Sequence, residues 1–410
     1  MTLMLTRPEM RRASSLYFVI GLMQAAYLPF AGIVFRDRGV SFEAIGLIGA
    51  VNSMIALTAG PVWGHLGDAV LGRANAFRLA LVTAAIGVAI FSIGPLAGIP
   101  GAAIAAFAGA GLVPLLDSIG MEQLAKVGGQ WGPLRAITSF SYATMCVVSG
   151  ALVALGGAIV IGPMYGLAAI VVIAGTIGLH TAPALHHTAR PAQSEAVAEI
   201  ERSEIAGTNA EIAVAGDWRN RFGTVNLAFQ QSPGLFAFLA LSLLVNLGAG
   251  LFYAYGSFRI QEVGGNAAAV AFGGTVSAAV EIPFVLAGGL IAARLGLRTL
   301  FAFGLAAMGI CSVGYAVIDT PFALAIVRSL CGVGFACTLL ASVLSVRNLV
   351  PAALQATGQA LYQSVSYGLA VAIAALVGGI IYGELGAAPL FLLSAAIMFG
   401  AIPFAWSVLR

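Results

Sequence analysis

Apolar residues in this chain run in long, nearly unbroken stretches, not in the one-sided helical stripe or two-residue alternation of a soluble fold. Crossing about 30 Å of hydrocarbon takes about 20 helical residues, and backbone groups in lipid must bond within their own segment, so each stretch predicts a transmembrane helix. Spans are predicted near 14–35, 43–66, 75–94, 99–120, 134–156 and 159–180, and again near 234–257, 267–292, 298–317, 321–346, 355–381 and 387–408. The polar stretch from His180 to Ser232, with Glu195, Glu199, Glu201, Glu204, Glu211 and Asp217 beside Arg190, Arg202, Arg219 and Arg221, reads as a solvated linker with a short helix from Ser194 to Ile205. The expected architecture is an all-α membrane protein of twelve helices: residues 1–180 form an N-terminal six-helix bundle, 181–232 a cytoplasmic linker and 233–410 a C-terminal six-helix bundle.

Composition agrees: 60% of residues are hydrophobic and 9% charged, against roughly 25% charged in soluble domains. A net charge of +3 with Lys126 as the single lysine is too small and scattered for a nucleic-acid partner, which leaves the lipid bilayer as the surroundings. Cys146, Cys311, Cys331 and Cys337 all lie in apolar runs without paired spacing, so they read as small packing residues, and neither a metal site nor a cofactor is expected. Arg7, Arg11 and Arg12 precede an apolar stretch too long for a signal-peptide core, which is read as the first span. With a cytoplasmic N-terminus, inner segments receive Arg73, Arg78, Lys126, Arg135, Arg294, Arg298, Arg347, the linker arginines and both chain ends, while outer loops receive only Arg36, Arg38 and Arg259. That asymmetry predicts both termini in the cytoplasm and a bacterial inner-membrane location.

The loop after span two, Gly64-His65-Leu66-Gly67-Asp68-Ala69-Val70-Leu71-Gly72-Arg73, resembles the signature loop of the major facilitator superfamily, with one extra residue between Asp68 and Gly72. The equivalent loop of the second half, Gly289 to Arg298 with Arg294, Gly296 and Arg298, repeats the pattern with Ala293 in the aspartate's place, as a duplicated six-helix unit would leave. Asp68 is suited to cap a helix start or to pair with an arginine. Pro114-Leu115-Leu116-Asp117-Ser118, Gly132-Pro133-Leu134-Arg135, Arg347-Asn348-Leu349-Val350-Pro351, Ala356-Thr357-Gly358-Gln359-Ala360-Leu361 and Gly39-Val40-Ser41-Phe42 resemble the branch holding lactose permease and the phenylpropionate-type and nucleoside proton symporters. Span five has Gly150, Gly156 and Gly157 without the proline of drug/proton antiporters. The resemblance implies two bundles around a central cavity and alternating access by rocking of one against the other.

Ionisable groups inside a membrane cost about 2.5–3.5 kcal/mol each on insertion scales, so each asks for a partner or a task. Asp117 and Arg135 fall at the inner ends of spans four and five, where they either pair to fix the hairpin or, as the resemblance implies, contact substrate. Glu281 lies midway along span eight beside Pro283, with no basic residue within a helical turn. Desolvation there disfavours the carboxylate and makes the residue a candidate proton carrier, a role an acidic residue of the same helix, about a turn away, serves in the resembling symporters; the alternative is a permanently protonated structural group. Arg328 is the buried cation of the second half, placed to reach Glu281, while Cys331 stands where the family often has histidine. Gln24 and Tyr27, Asn52, Asn246, and in span eleven Gln359, Gln363 and Tyr367, with Ser366 completing a helical stripe, are candidates to line the cavity or to bond helix to helix. No nucleophile motif or metal-ligand spacing suggests an enzyme.

The expected function is secondary active transport, as proton-coupled symport of a small organic solute that is sugar-like, nucleoside-like or an aromatic acid. Proton-driven efflux of amphipathic compounds is the second reading within transport. A non-transporting receptor or scaffold is the reading from another class; it would need the 180–232 linker, which has no apolar core of its own. The solute and the oligomeric state are left open.

Overall fold

The computed structural model describes residues 8–127, 131–177, 218–351 and 354–409, which are helical almost throughout. In the first half α1 (Pro8–Tyr27) and α2 (Ala31–Asp37) make span one around a turn at residues 28–30, followed by α3 (Phe42–His65), α4 (Arg73–Ile93), α5 (Pro95–Val127), α6 (Trp131–Gly156) and α7 (Ile161–Gly175). In the second half α8 (Trp218–Gln231) precedes α9 (Pro233–Glu262), α10 (Ala267–Leu295) and α11 (Leu297–Val317). Next come α12 (Pro321–Val327) and α13 (Ser329–Leu349), which share span ten, then α14 (Gln355–Gln363) and α15 (Ala370–Leu385), which share span eleven, and α16 (Ala387–Val408). The end of the polar segment is therefore helical: α8 buries Ala228 and packs Phe229 against the second-half core. The helix expected at 194–205 lies outside the described residues.

Among the described residues eleven stretches are long and apolar enough to cross a membrane, one of them the 40 residues Ala136–Gly175. At about 1.5 Å per residue a straight helix of that length would be about twice as long as the hydrocarbon is thick. It is two spans: the chain turns at Gly157, with φ of 68°, through the 3₁₀ turn Gly157–Val160 that joins α6 to α7. Twelve crossings result.

The duplication is visible in geometry as well as in sequence. Gly72, which opens α4, has φ 77° and ψ 151°, and Gly296, which opens α11, has φ 76° and ψ 157°, a region essentially closed to residues with a Cβ. Asp68 pairs with Nε of Arg73 at 3.0 Å. The residue in excess of the family pattern is taken up by a π-helical turn over Leu66–Val70, in which Leu71 N–H donates to the Leu66 carbonyl at 2.8 Å, the wide winding that absorbs one added residue.

Two of the three arginines expected outside are also used symmetrically. Arg38, after span one, donates to the carbonyls of Phe91, Ser92 and Gly94 at 2.8–3.1 Å and so caps the C-terminus of α4. Arg259, in span seven, donates to the carbonyls of Tyr315 and Ile318 at 3.2 Å and caps α11, the equivalent helix. A cation at a helix C-terminus satisfies carbonyls that have no intrahelical partner and meets the negative end of the dipole. These two exceptions to the charge rule are therefore structural.

One large apolar cluster is drawn from residues 10–172 with Ala271, and two others from residues 228–409 with Ile33. The halves meet where α3 packs on α15 and α6 on α10. One region of contact lies toward the face carrying the loops at 37–42, 262–267 and 385–387, here the distal face. There Phe42 packs its ring against Phe258 and Tyr382 at 5.3 and 4.6 Å, and Gln261 donates to Asp37 across the halves at 3.4 Å.

Candidate functional site

Between the halves lies a cavity of about 340 Å³ lined from both of them. α1 contributes Gln24; α6 contributes Thr138, Ser139 and Tyr142; α10 contributes Ser277 and Glu281; Tyr253 of α9, Arg328 and Phe335 complete the wall. Helical spacing puts Ser139 and Tyr142, three apart, on one face of α6, and Ser277 and Glu281, four apart, on one face of α10. Ser139 Oγ donates to Glu281 Oε1 at 3.3 Å, a bond that crosses from one half to the other.

Arg328 occupies the break between α12 and α13. Its Cδ lies against Gly273 and its Nη1 against Gly256, so two glycines make room for the side chain where a Cβ would obstruct it. The guanidinium stands over the Phe252 ring, 5.7 Å from its centroid, and its Nε and Nη1 are buried without a hydrogen-bond partner among the described residues. Cys331 sits one turn further on, its thiol 2.8 Å from that of Cys311, and Cys146 lies behind Gly274 at the cavity wall.

A second cavity, of about 310 Å³, lies within the second half and shares Tyr253 and Phe335 with the first. Its walls are mainly apolar, with Val245, Ala249, Phe301, Met308, Leu339 and Val371, and its polar members include Asn246, Tyr362 and Tyr367.

Gln24, Glu281 and Arg328 thus share one chamber, while Asn246 and Tyr367 line the other. The remaining candidates are placed otherwise. Tyr27 lines neither chamber: it ends α1 and packs edge-on against Phe91 and Tyr165 at 5.2 and 6.3 Å, inside the first-half core. Asn52 is half-buried on α3 and lines neither chamber. Gln359 donates to the Val343 carbonyl at 3.1 Å, tying α14 to α13. The stripe Gln359, Gln363, Ser366 is broken, because Ser364–Leu369 winds as a π-helix. Wider winding changes the angle between successive residues, so Gln363 is exposed and Ser366 is wholly buried. Asp117 accepts a 2.6 Å bond from the Tyr17 hydroxyl and lines neither chamber; the side chain of Arg135 lies outside the described residues, so their pairing is untouched by the structure. Of the signature-loop residues, Arg294 is exposed and Arg298 donates to the Leu409 carbonyl at the end of α16; next to Gly64 there is open space.

Thr138, Ser139, Tyr142, Tyr253 and Phe335 were not singled out by sequence. The signal available was weak: a Thr-Ser-x-Ser-Tyr cluster in span five, indistinguishable in one dimension from serines that bond their own helix, as Ser141 does to Thr138 at 3.0 Å.

A twelve-helix membrane body with a polar chamber at the junction of its halves is the architecture expected of a secondary transporter. Residues 10–393 match the family described as MFS_1 like family, and the chain belongs to it, within the major facilitator superfamily. Maltose permease of Geobacillus stearothermophilus is 24% identical over 384 residues, covering 92% of this chain and 89% of that protein. Among solved structures, the nucleoside transporter NupG superposes with a TM-score of 0.74 at 16% identity over 98% of both chains. The POT family transporter PepTSo superposes with a TM-score of 0.69 at 14% identity over 97% of both. At these identities the likeness to the solved structures establishes the fold.

Proposed function

We propose that this transporter moves a small organic solute together with a proton by alternating access, with Glu281 carrying the proton and Arg328 and Gln24 among the groups that meet the solute. The observation that carries this reading is the placement of a carboxyl group and a guanidinium from different parts of the second half in one chamber that both halves line. Such a chamber changes its exposure when one half rocks against the other, and a carboxyl group in it can take a proton on one side and lose it on the other. Other groups facing the chamber are Tyr142, Tyr253 and Arg328, with Cys146 behind Gly274 and Cys331 near Tyr253. The maltose, nucleoside and peptide transporters to which the chain is similar are in keeping with a small organic cargo. No enzymatic role is part of this reading, and residues 1–180 and 233–410 are taken as the two moving bodies.

Purified protein in liposomes, alkaline inside and acidic outside, should accumulate at least one solute of a panel holding maltose, uridine, a dipeptide and an aryl carboxylate or sulfonate. Equal uptake of every solute with and without the gradient would exclude proton-driven symport. Stimulation of loss from preloaded vesicles would instead favour efflux.

The distribution of basic residues supports a cytoplasmic position for both termini, and the capping role of Arg38 and Arg259 accounts for most of the contrary charge. A reporter enzyme fused after Gly265 should be active on the periplasmic side, and one fused within residues 190–220 on the cytoplasmic side. The reverse pattern would invert the orientation.

A further inference from the structure

We infer that the solute is an amphipathic organic monoanion whose charged end lies against Arg328 in the polar chamber and whose apolar or aromatic body fills the second-half chamber. This rests on the proton-coupled reading above and specifies its cargo. The chambers adjoin, because Tyr253 and Phe335 are walls of both, yet they differ in chemistry. One presents Gln24, Thr138, Ser139, Ser277, Glu281 and Arg328; the other presents mainly aliphatic, aromatic and thioether surface. The second chamber offers Ser242, Asn246, Thr338, Ser342 and tyrosine hydroxyls, but most of the surface it exposes is apolar, so an apolar body is favoured there over a uniformly hydroxylated one.

The sign of the head group follows from charge. With Glu281 ionised, the chamber's formal charge is zero, Arg328 balancing it. Once Glu281 takes a proton, no carboxylate among the described residues balances Arg328 in low dielectric; the Tyr315 hydroxyl beside it is uncharged and Nε and Nη1 make no close hydrogen bond there, so an anion is the ligand that restores neutrality. A planar guanidinium matches a carboxylate or sulfonate through paired N–H donors. Proton and monoanion entering together move no net charge, so transport should respond to the pH gradient and not to the membrane potential.

The probe is 3-phenylpropane-1-sulfonate, which stays anionic and does not leak across bare bilayers as a neutral acid. In proteoliposomes an inward proton gradient should raise its initial uptake about tenfold or more above that of methanesulfonate, which has the head without the body. A potassium diffusion potential, negative inside, should leave that rate unchanged. Ala249→Phe, which fills the apolar chamber, should abolish uptake of the arylsulfonate, and the milder Ala249→Val should reduce it; gel filtration and melting temperature report whether each variant is folded. Arg328→Gln should abolish arylsulfonate binding, read as loss of the ligand-induced rise in melting temperature. If maltose or uridine uptake is driven by the pH gradient and accelerated by the potential while the sulfonate is ignored, the anion assignment falls and proton coupling stands. If no solute of the panel responds to the proton gradient, both fall. Undiminished arylsulfonate uptake by folded Ala249→Phe would remove the apolar chamber from the site.

Discussion

Glu281→Gln should abolish accumulation of solute against its gradient while leaving solute exchange across the membrane in place. Glutamine has nearly the shape of the protonated acid and keeps a carbonyl oxygen where Ser139 Oγ donates at 3.3 Å, so the contact between α6 and α10 survives. What is lost is the ability to change protonation as access alternates. Concentrative uptake driven by an imposed pH gradient should fall to the passive level, a loss of about tenfold or more, the smallest change expected when a coupled step disappears. Counterflow with labelled solute on both sides should continue, and its rate should lose the pH dependence of the unaltered protein. Both assays use the same vesicles, so a misfolded variant is recognised by loss of both. Full accumulation by the variant with unchanged proton stoichiometry would move the coupling group elsewhere in the chamber.

Gly46→Leu should stop transport by a different route, by holding the distal face apart. Gly46 of α3 faces α15 so closely that a Cβ would lie 2.5 Å from the Ala375 carbonyl oxygen and 3.1 Å from the Gly379 Cα. The Ala375 carbonyl also accepts a 2.6 Å bond from the Tyr255 hydroxyl. Small residues are what allow membrane helices to approach this far, and packing supplies much of the attraction between them. The contact joins one half of the molecule to the other, so the strain of a larger side chain can be relieved by rotating the halves, without unpacking either. Overpacking typically costs about 1–3 kcal/mol, which biases an equilibrium between two access states by a factor of about 5–150. The variant should therefore express and melt nearly as the parent does, while transport falls by about that factor and a cysteine placed at Gln261 reacts faster with a membrane-impermeant maleimide. Gly101 supplies the contrast. Its Cβ would lie 2.3 Å from the Phe91 nitrogen, inside the first half where α4 meets α5, so a leucine there should lower stability. Equal destabilisation by the two leucines, with no change in labelling, would show that the α3–α15 contact is not a moving interface.

The spans were legible because lipid imposes a one-dimensional rule: an apolar run of sufficient length, with its backbone bonded internally, has few alternatives to a helix. The duplication was legible for a related reason. Gly72 and Gly296 are needed for a backbone conformation that other residues avoid, so the constraint is written into single residues. Glu281 and Arg328 stood out because charge within a membrane is expensive. Tertiary structure alone decided which neighbours those residues face. Tyr27 and Gln24 lie less than one turn apart, yet one ends in the first-half core against Phe91 and the other in the shared chamber. The polar stripe of span eleven depended on a regular 3.6-residue period, which the π-helical segment Ser364–Leu369 breaks. No local propensity marks that winding, whose residues pack against α3 and α9. The cavity walls at Ser139, Tyr142 and Tyr253 come from helices far apart in sequence, and an uncharged polar residue in a membrane helix is as well satisfied by its own backbone as by a partner across a cavity. Sequence by itself therefore determined the membrane spans, their number and the groups that are costly to bury, whereas the helix at the end of the polar segment, the facing of each span, and with it the site, depended on which long-range contacts the packed halves make.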